Sequence, residues 1–223
     1  MLRDARYPRL LWPLLIGALA LLLALGFVEL AGEVLEGETR AFDQWVLQHA
    51  QAWRAGHPWL SEVMRDLSGL GSTATLTLVT AITVGYLWLV TTPRAAVLVG
   101  ASVLSGAALM SLLKLAFGRA RPDAAQAALV VPGLSFPSGH SSMAAIVFLT
   151  LGTLIASTRP RLRERSYILA CAALMALAVG VSRVALGVHW ATDVLGGWAF
   201  GTGWALAWLL AVGAVMRTPR PPD

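Results

Sequence analysis

The stretch Ser182–Asp193, SRVALGVHWATD, lies between two apolar runs, each long enough to cross a bilayer. Its charged and titratable residues, Arg183, His189 and Asp193, therefore fall near a membrane boundary, where charge is costly and commonly functional. A helix that starts around His189 puts Asp193 four residues on, one turn away on the same face. A carboxylate there accepts the ring N–H of His189, fixes its tautomer and leaves the other nitrogen free to attack. The competing reading is a capping Asp beside a chance histidine.

Working outward, only 13% of the 223 residues are charged and 57% are hydrophobic, with a mean hydropathy of +0.69. Soluble domains carry roughly 25% charged residues, so the chain reads as a membrane protein. Stretches free of Asp, Glu, Lys and Arg run Leu10–Val28, Leu67–Pro93, Ala95–Leu113, Ser141–Thr158, Ser166–Ser182 and Val194–Met216. A spanning helix takes roughly 17–25 residues, which predicts an all-α integral membrane bundle of six transmembrane helices. The second run is long enough to include a loop at Gly69 and Gly71. The first reads as a retained anchor, since it exceeds the roughly 7–15 residues of a signal h-region and no A-x-A site follows.

Arginine placement predicts the orientation. Arg3, Arg6, Arg9, Arg94, Arg159, Arg161, Arg163, Arg165, Arg217 and Arg220 fall on one side, ten basic residues against three acidic. The other side has seven basic and nine acidic residues, so both termini are expected in the cytoplasm and SRVALGVHWATD outside. The outer segment Glu29–Ser68 follows the first span. Phe42, Trp45, Val46, His49 and Trp53 recur there at helical spacing, the pattern of an interfacial helix with an aromatic face. Glu29, Glu33 and Glu36 share another, solvated face. The net charge of +5 does not indicate nucleic acid, because the basic residues sit between spans without the aromatic interleaving of a single-strand binder. Cys171 stands alone inside an apolar run, so no intrachain disulfide forms.

Two further clusters share the outer side. In KLAFGRARP, Lys114 and Arg121 are seven residues apart, two helical turns. Pro122 disfavours a helical Arg121 and moves it to a loop. In PSGH, Ser138 is a candidate N-cap and Gly139 admits a ligand close to the backbone. The helix start at His140 offers free N–H groups to an anion. Alone, these are an interfacial anchor and a common turn. Together with Arg183 they gather three cations, a helix N-terminus and two histidines, which suits phosphoryl transfer. One histidine has an orienting Asp, as a nucleophile needs, and the other is equipped as general acid. No H-E-x-x-H or cysteine cluster supports a metal site.

Lys114-x6-Arg121-Pro122, Pro137-Ser138-Gly139-His140 and Ser182-Arg183-x5-His189-x3-Asp193 resemble the three-part signature of the type 2 phosphatidic acid phosphatase family, which also includes vanadium haloperoxidases. The order, spacing and side all match, and the six-span layout is similar to the bacterial membrane members. The resemblance implies one phosphatase domain over residues 1–223, with the signature at about 114–193. It implies that His189 attacks phosphorus with Asp193 supporting it, and that His140 protonates the leaving oxygen and then activates water. Lys114, Arg121, Ser138, Gly139 and Arg183 would hold the phosphate, with neither metal nor cofactor.

The partners implied are the bilayer and a lipid substrate, at the outer face of the cell membrane. Substrate identity lies outside the signature. Arg119 adds a cation suited to a diphosphate, although it reads equally as an interfacial anchor. On that charge the expected substrate is undecaprenyl diphosphate, cleaved to the monophosphate, with Phe42–Trp53 bordering the entrance for its chain. The alternatives are phosphatidic acid or phosphatidylglycerophosphate, or a non-catalytic protein that binds or transports lipid phosphates.

Overall fold

The computed structural model describes residues 7–90, 93–123, 127–129 and 131–215. The basic residues Arg3, Arg6, Arg217 and Arg220, and with them both termini, lie outside this range. Among the described residues there are eight helices and no strand: α1 (Tyr7–Glu36), α2 (Arg40–Gly56), α3 (Pro58–Leu70), α4 (Thr73–Val90), α5 (Pro93–Phe117), α6 (Gly139–Ser157), α7 (Leu162–Ala185) and α8 (Ala191–Val215). Six segments are long and apolar enough to span, with α3 and α4 forming one run, Pro58–Val90. The chain is an all-α, multi-pass membrane bundle, as its apolar runs predict.

α6 is the central element. It packs against α5, α7 and α8, while α1 packs on α8 and α4 on α5. Lipid is as apolar as leucine, so membrane helices associate through small residues that let backbones approach closely. A Cβ added at Gly197 of α8 would stand 2.9 Å from both Ser138 O and Ser141 Cβ. One added at Gly152 of α6 would stand 2.6 Å from Ala172 Cβ of α7. Large apolar side chains point outward instead, such as Leu22, Leu89, Leu104 and Leu115. The ends of α5 and α7 and the starts of α6 and α8 consequently meet at one end of the bundle, where the three signature clusters converge.

Several boundaries differ from expectation. The first helix continues past Val28 to Glu36, because its carboxylates at Glu29, Glu33 and Glu36 are exposed and need no burial. Gly69 stays helical and the break falls at Gly71–Ser72. There Ser72 Oγ accepts the Thr75 N–H at 3.2 Å and caps α4. The outer segment is helical, and its aromatic face is left free of the bundle, open to an interface. Phe42, Trp45 and Trp53 are exposed. Thr39, Asp43 and Leu47, spaced by four, are buried, so a carboxylate lies on the face that meets the bundle.

Candidate active site

α5 ends at Gly118, whose φ of 59° is a left-handed conformation that closes a helix cheaply only for glycine. Its N–H bonds Lys114 O at 3.1 Å. The chain then leaves the helix axis, which leaves Lys114 in the last turn and Arg121 on the loop, as Pro122 predicts. Lys114 Nζ donates to Leu134 O at 2.8 Å. Arg121 donates from Nε to Gly133 O at 3.0 Å and from Nη1 to Val188 O at 2.8 Å. These carbonyls aim the two cations and use only part of their donor capacity.

His189 sits before α8 rather than on it, because Gly187 (φ 73°) turns the chain and the helix starts at Ala191. Asp193 is still in reach from the first turn: His189 Nδ1 lies 3.3 Å from Asp193 Oδ2. Arg121 Nη1 lies 3.0 Å from His189 Nε2. A guanidinium only donates, so Nε2 is the lone-pair nitrogen and Nδ1 carries the proton toward Asp193. The ring is 1% exposed. Burial pushes its pKa down to about 4, with Asp193 opposing the shift and Arg121 and Arg183 adding to it. At neutral pH the imidazole is uncharged, as a nucleophile must be. Burial also draws the Arg121 pKa below its usual value, with Asp193 opposing.

Arg183, in the last turn of α7, is 2% exposed. Its Nη1 donates to Ser68 Oγ at 2.6 Å, while Nε and Nη2 are buried with no hydrogen-bond partner among the described residues. Buried guanidinium donors left unpaired are costly, and their fork matches two oxygens of a phosphate. His140 opens α6 within electrostatic reach of Arg183, His189, Arg121 and Lys114. The first turn of α6 leaves the N–H groups of Gly139, His140 and Ser141 without helical acceptors. Gly139 lies against Lys114, whose Cε would be 3.5 Å from an added Cβ. Lys114, Arg121, Ser138, Gly139, His140, Arg183, His189 and Asp193 are thus brought together. Among the described residues, no three His, Cys, Asp or Glu side chains converge as metal ligands.

Ser138 differs from expectation. It occupies the N-cap position but its side chain makes no capping bond; its hydroxyl accepts from Ser141 Oγ at 2.9 Å. Its backbone N–H bonds Asp193 O at 2.9 Å, which locks the start of α6 to α8. Arg119 differs more. It is neither a lipid-facing anchor nor a spare cation. Nη1 donates to Asp193 Oδ1 at 2.6 Å and Nη2 to Asp43 Oδ2 at 2.7 Å, so two carboxylates neutralise it, and it lies over the Trp190 ring at 5.7 Å. Four partners were missed in sequence. Ser135 donates to Asp193 Oδ2, Ser68 holds Arg183, and Asp43 and Thr192 hold each other and Arg119. The repeat of Thr39, Asp43 and Leu47 every four residues was the legible clue to Asp43.

A family model described as the PAP2 superfamily matches residues 95–217, which takes in all three clusters. Phosphatidylglycerophosphatase B of Bacillus subtilis (strain 168) is 33% identical over 184 residues, 80% of this chain and 87% of that protein. Lipid A 1-phosphatase of Rhizobium etli is 37% identical over 109 residues, which is 43% of this chain and 40% of the relative. Among solved structures, the transmembrane PAP2 type phosphatidylglycerolphosphate phosphatase from Bacillus subtilis matches with a TM-score of 0.80 at 30% identity. That match covers 91% of this chain and 98% of the other. LpxE of Aquifex aeolicus, at 23% identity and a TM-score of 0.54 over 74% of this chain and 93% of its own, shares the fold.

Proposed function

The chain belongs to the PAP2 superfamily and is a membrane enzyme that hydrolyses lipid phosphates, and on that premise we propose that it removes the terminal phosphate monoester of a glycerophospholipid. Phosphatidylglycerophosphate is the preferred substrate in this reading and phosphatidic acid the second. The observation that carries the phosphate site is the buried Arg183 guanidinium, with Nε and Nη2 unpaired among the described residues beside a neutral His189. Residues 1–223 act as one domain.

An incoming phosphate takes the N–H that Arg121 donates to His189 Nε2 and so frees the lone pair. Nε2 attacks phosphorus, the P–O bond to the lipid breaks, and His140 gives its proton to the leaving oxygen. Lys114, Arg121, Arg183 and the N–H groups at Gly139 hold the three phosphate oxygens while charge develops. Asp193 accepts from Nδ1–H throughout. His140 then takes a proton from water, whose oxygen displaces His189 and releases inorganic phosphate.

Arg119 is the extra cation that would favour a diphosphate, and its charge is held by Asp43 and Asp193. Undecaprenyl diphosphate therefore loses its support from charge, and similarity to a phosphatidylglycerophosphatase over most of both chains favours the glycerophospholipid. The purified enzyme is expected to give its highest kcat/KM with phosphatidylglycerophosphate, above phosphatidic acid, and lower values with undecaprenyl diphosphate. A preference for the diphosphate overturns the substrate assignment and leaves the chemistry standing.

The site is proposed to face outward, with both termini in the cytoplasm. The excess of arginines on the opposite side supports this, as does the position of Thr158–Arg161 at the end of α6 and α7 away from His140 and Arg183. In a Cys171→Ala background, Leu129→Cys is expected to react with an impermeant thiol reagent on intact cells and Thr158→Cys only after lysis. The reverse pattern would invert the topology.

A further inference from the structure

We propose that Asp43 and Arg119 form a positioning relay that holds the Asp193 carboxylate to the His189 ring, with the surface helix α2 supplying Asp43. The proposal rests on the reading of His189 as nucleophile. Arg119 bridges two carboxylates: Nη1 reaches Asp193 Oδ1 at 2.6 Å and Nη2 reaches Asp43 Oδ2 at 2.7 Å. Both carboxylates are buried, Asp43 at 1% and Asp193 at 0%.

The bridge sorts the two oxygens of Asp193. Oδ1 is taken by Arg119. Oδ2 is left to the Ser135 hydroxyl, the Trp190 N–H at 2.9 Å and His189 Nδ1 at 3.3 Å. A rotated carboxylate would lose all of these together.

Asp43 closes the relay on α8 itself. Its Oδ1 accepts the Thr192 N–H at 2.9 Å, and its Oδ2 accepts from Thr192 Oγ1 at 2.7 Å. Thr192 is in the first turn of α8, where backbone N–H groups have no helical acceptor, so a carboxylate from another helix serves as the cap. Arg119 Nη1 also donates to Thr192 Oγ1 at 2.8 Å, and Nη2 to Thr39 Oγ1 at 3.3 Å. Buried ion pairs contribute little net stability but do fix geometry. The geometry fixed here is that of Asp193, the carboxylate facing His189 Nδ1.

The relay makes an electrostatic prediction that simple glue between α2 and α8 does not. The charged groups facing His189 are Asp193 from α8, Arg121 from the loop after α5 and Arg183 from α7. His140 of α6 lies within electrostatic reach of the same ring, and Lys114 of α5 acts on Asp193 and Arg121. Beyond them, Arg119 lies between the carboxylates of Asp43 and Asp193. Asp43→Asn leaves Arg119 unbalanced against Asp193 and lowers the His189 pKa. Arg119→Gln removes the cation and raises it.

The test uses the full chain in detergent micelles, with short-chain phosphatidic acid as substrate and 15N-histidine NMR to follow the rings of the four histidines. Asp43→Asn and Arg119→Gln are each expected to lower kcat by ~10–100-fold, the scale seen when the partner that orients a metal-bound imidazole is lost, with KM little changed. The His189 pKa should move in opposite directions in the two variants. Turnover within twofold of the parent, or a loss that tracks the melting temperature without opposite pKa shifts, overturns the relay. If Asp43→Asn does not fold, Arg119→Lys decides: it keeps the charge but cannot bridge two carboxylates, and full activity there overturns the relay. An active His189→Ala would remove the nucleophile reading on which the relay rests. An inactive His189→Ala beside a normal Asp43→Asn removes the relay alone.

Discussion

His189→Ala is expected to abolish the phosphoryl-enzyme and to lower kcat by on the order of 10⁴-fold or more, the scale of losing a member of a nucleophile–base set. The expectation follows from the lone pair. Nε2 accepts from Arg121 at 3.0 Å, Nδ1 faces Asp193 at 3.3 Å, and burial keeps the ring neutral. None of the other histidines has this arrangement: His49 and His57 bond backbone carbonyls on α2 and at its end. His140→Ala is expected to behave differently, with turnover slowed ~10²–10⁴-fold as a general acid is lost. With a leaving group that needs no protonation, the first step survives and the phosphohistidine persists, because its hydrolysis still needs a base. Acid-labile, base-stable 32P labelling of the two variants separates the roles. Label on His189→Ala would move the nucleophile elsewhere.

Arg183→Lys is expected to lower kcat/KM by ~10²–10³-fold, comparable to removing an oxyanion donor. Lysine retains the charge, so any loss measures the fork rather than the cation. Arg183 holds Ser68 with Nη1 and presents Nε and Nη2, a division that one ammonium cannot reproduce. Arg183→Ala should cost more, and also lower the melting temperature, since it opens a cavity at a fully enclosed side chain and strands Ser68. Near-parent activity in Arg183→Lys would show that charge alone suffices at this position.

The sequence by itself determined the class of the protein and named the residues of its candidate site. Six apolar runs can be accommodated only as spanning helices, because a backbone in lipid must satisfy its own hydrogen bonds. Three clusters at the ends of those runs must then meet wherever the helix ends meet. Lys114, Arg121, His140, Arg183, His189 and Asp193 were legible for that reason: charge at a membrane boundary stands out against the apolar sequence around it.

What tertiary structure decided was how each charge is used. Arg119 and Arg121 are two residues apart and alike in sequence, yet one lies between two carboxylates and the other against His189 Nε2. Nothing local separates them, because the difference is made by Asp43, 76 residues before Arg119. The same limit hid Ser68 and Ser135, whose hydroxyls acquire meaning only from the side chains that reach them. It also hid the inner face of α2, where Asp43 is buried beside Thr39 and Leu47 while the conspicuous aromatic face turns outward. Hydrophobic periodicity reports which face prefers lipid or core. It does not report a polar contact, which depends on a partner elsewhere in the chain and is fixed only when the helices pack.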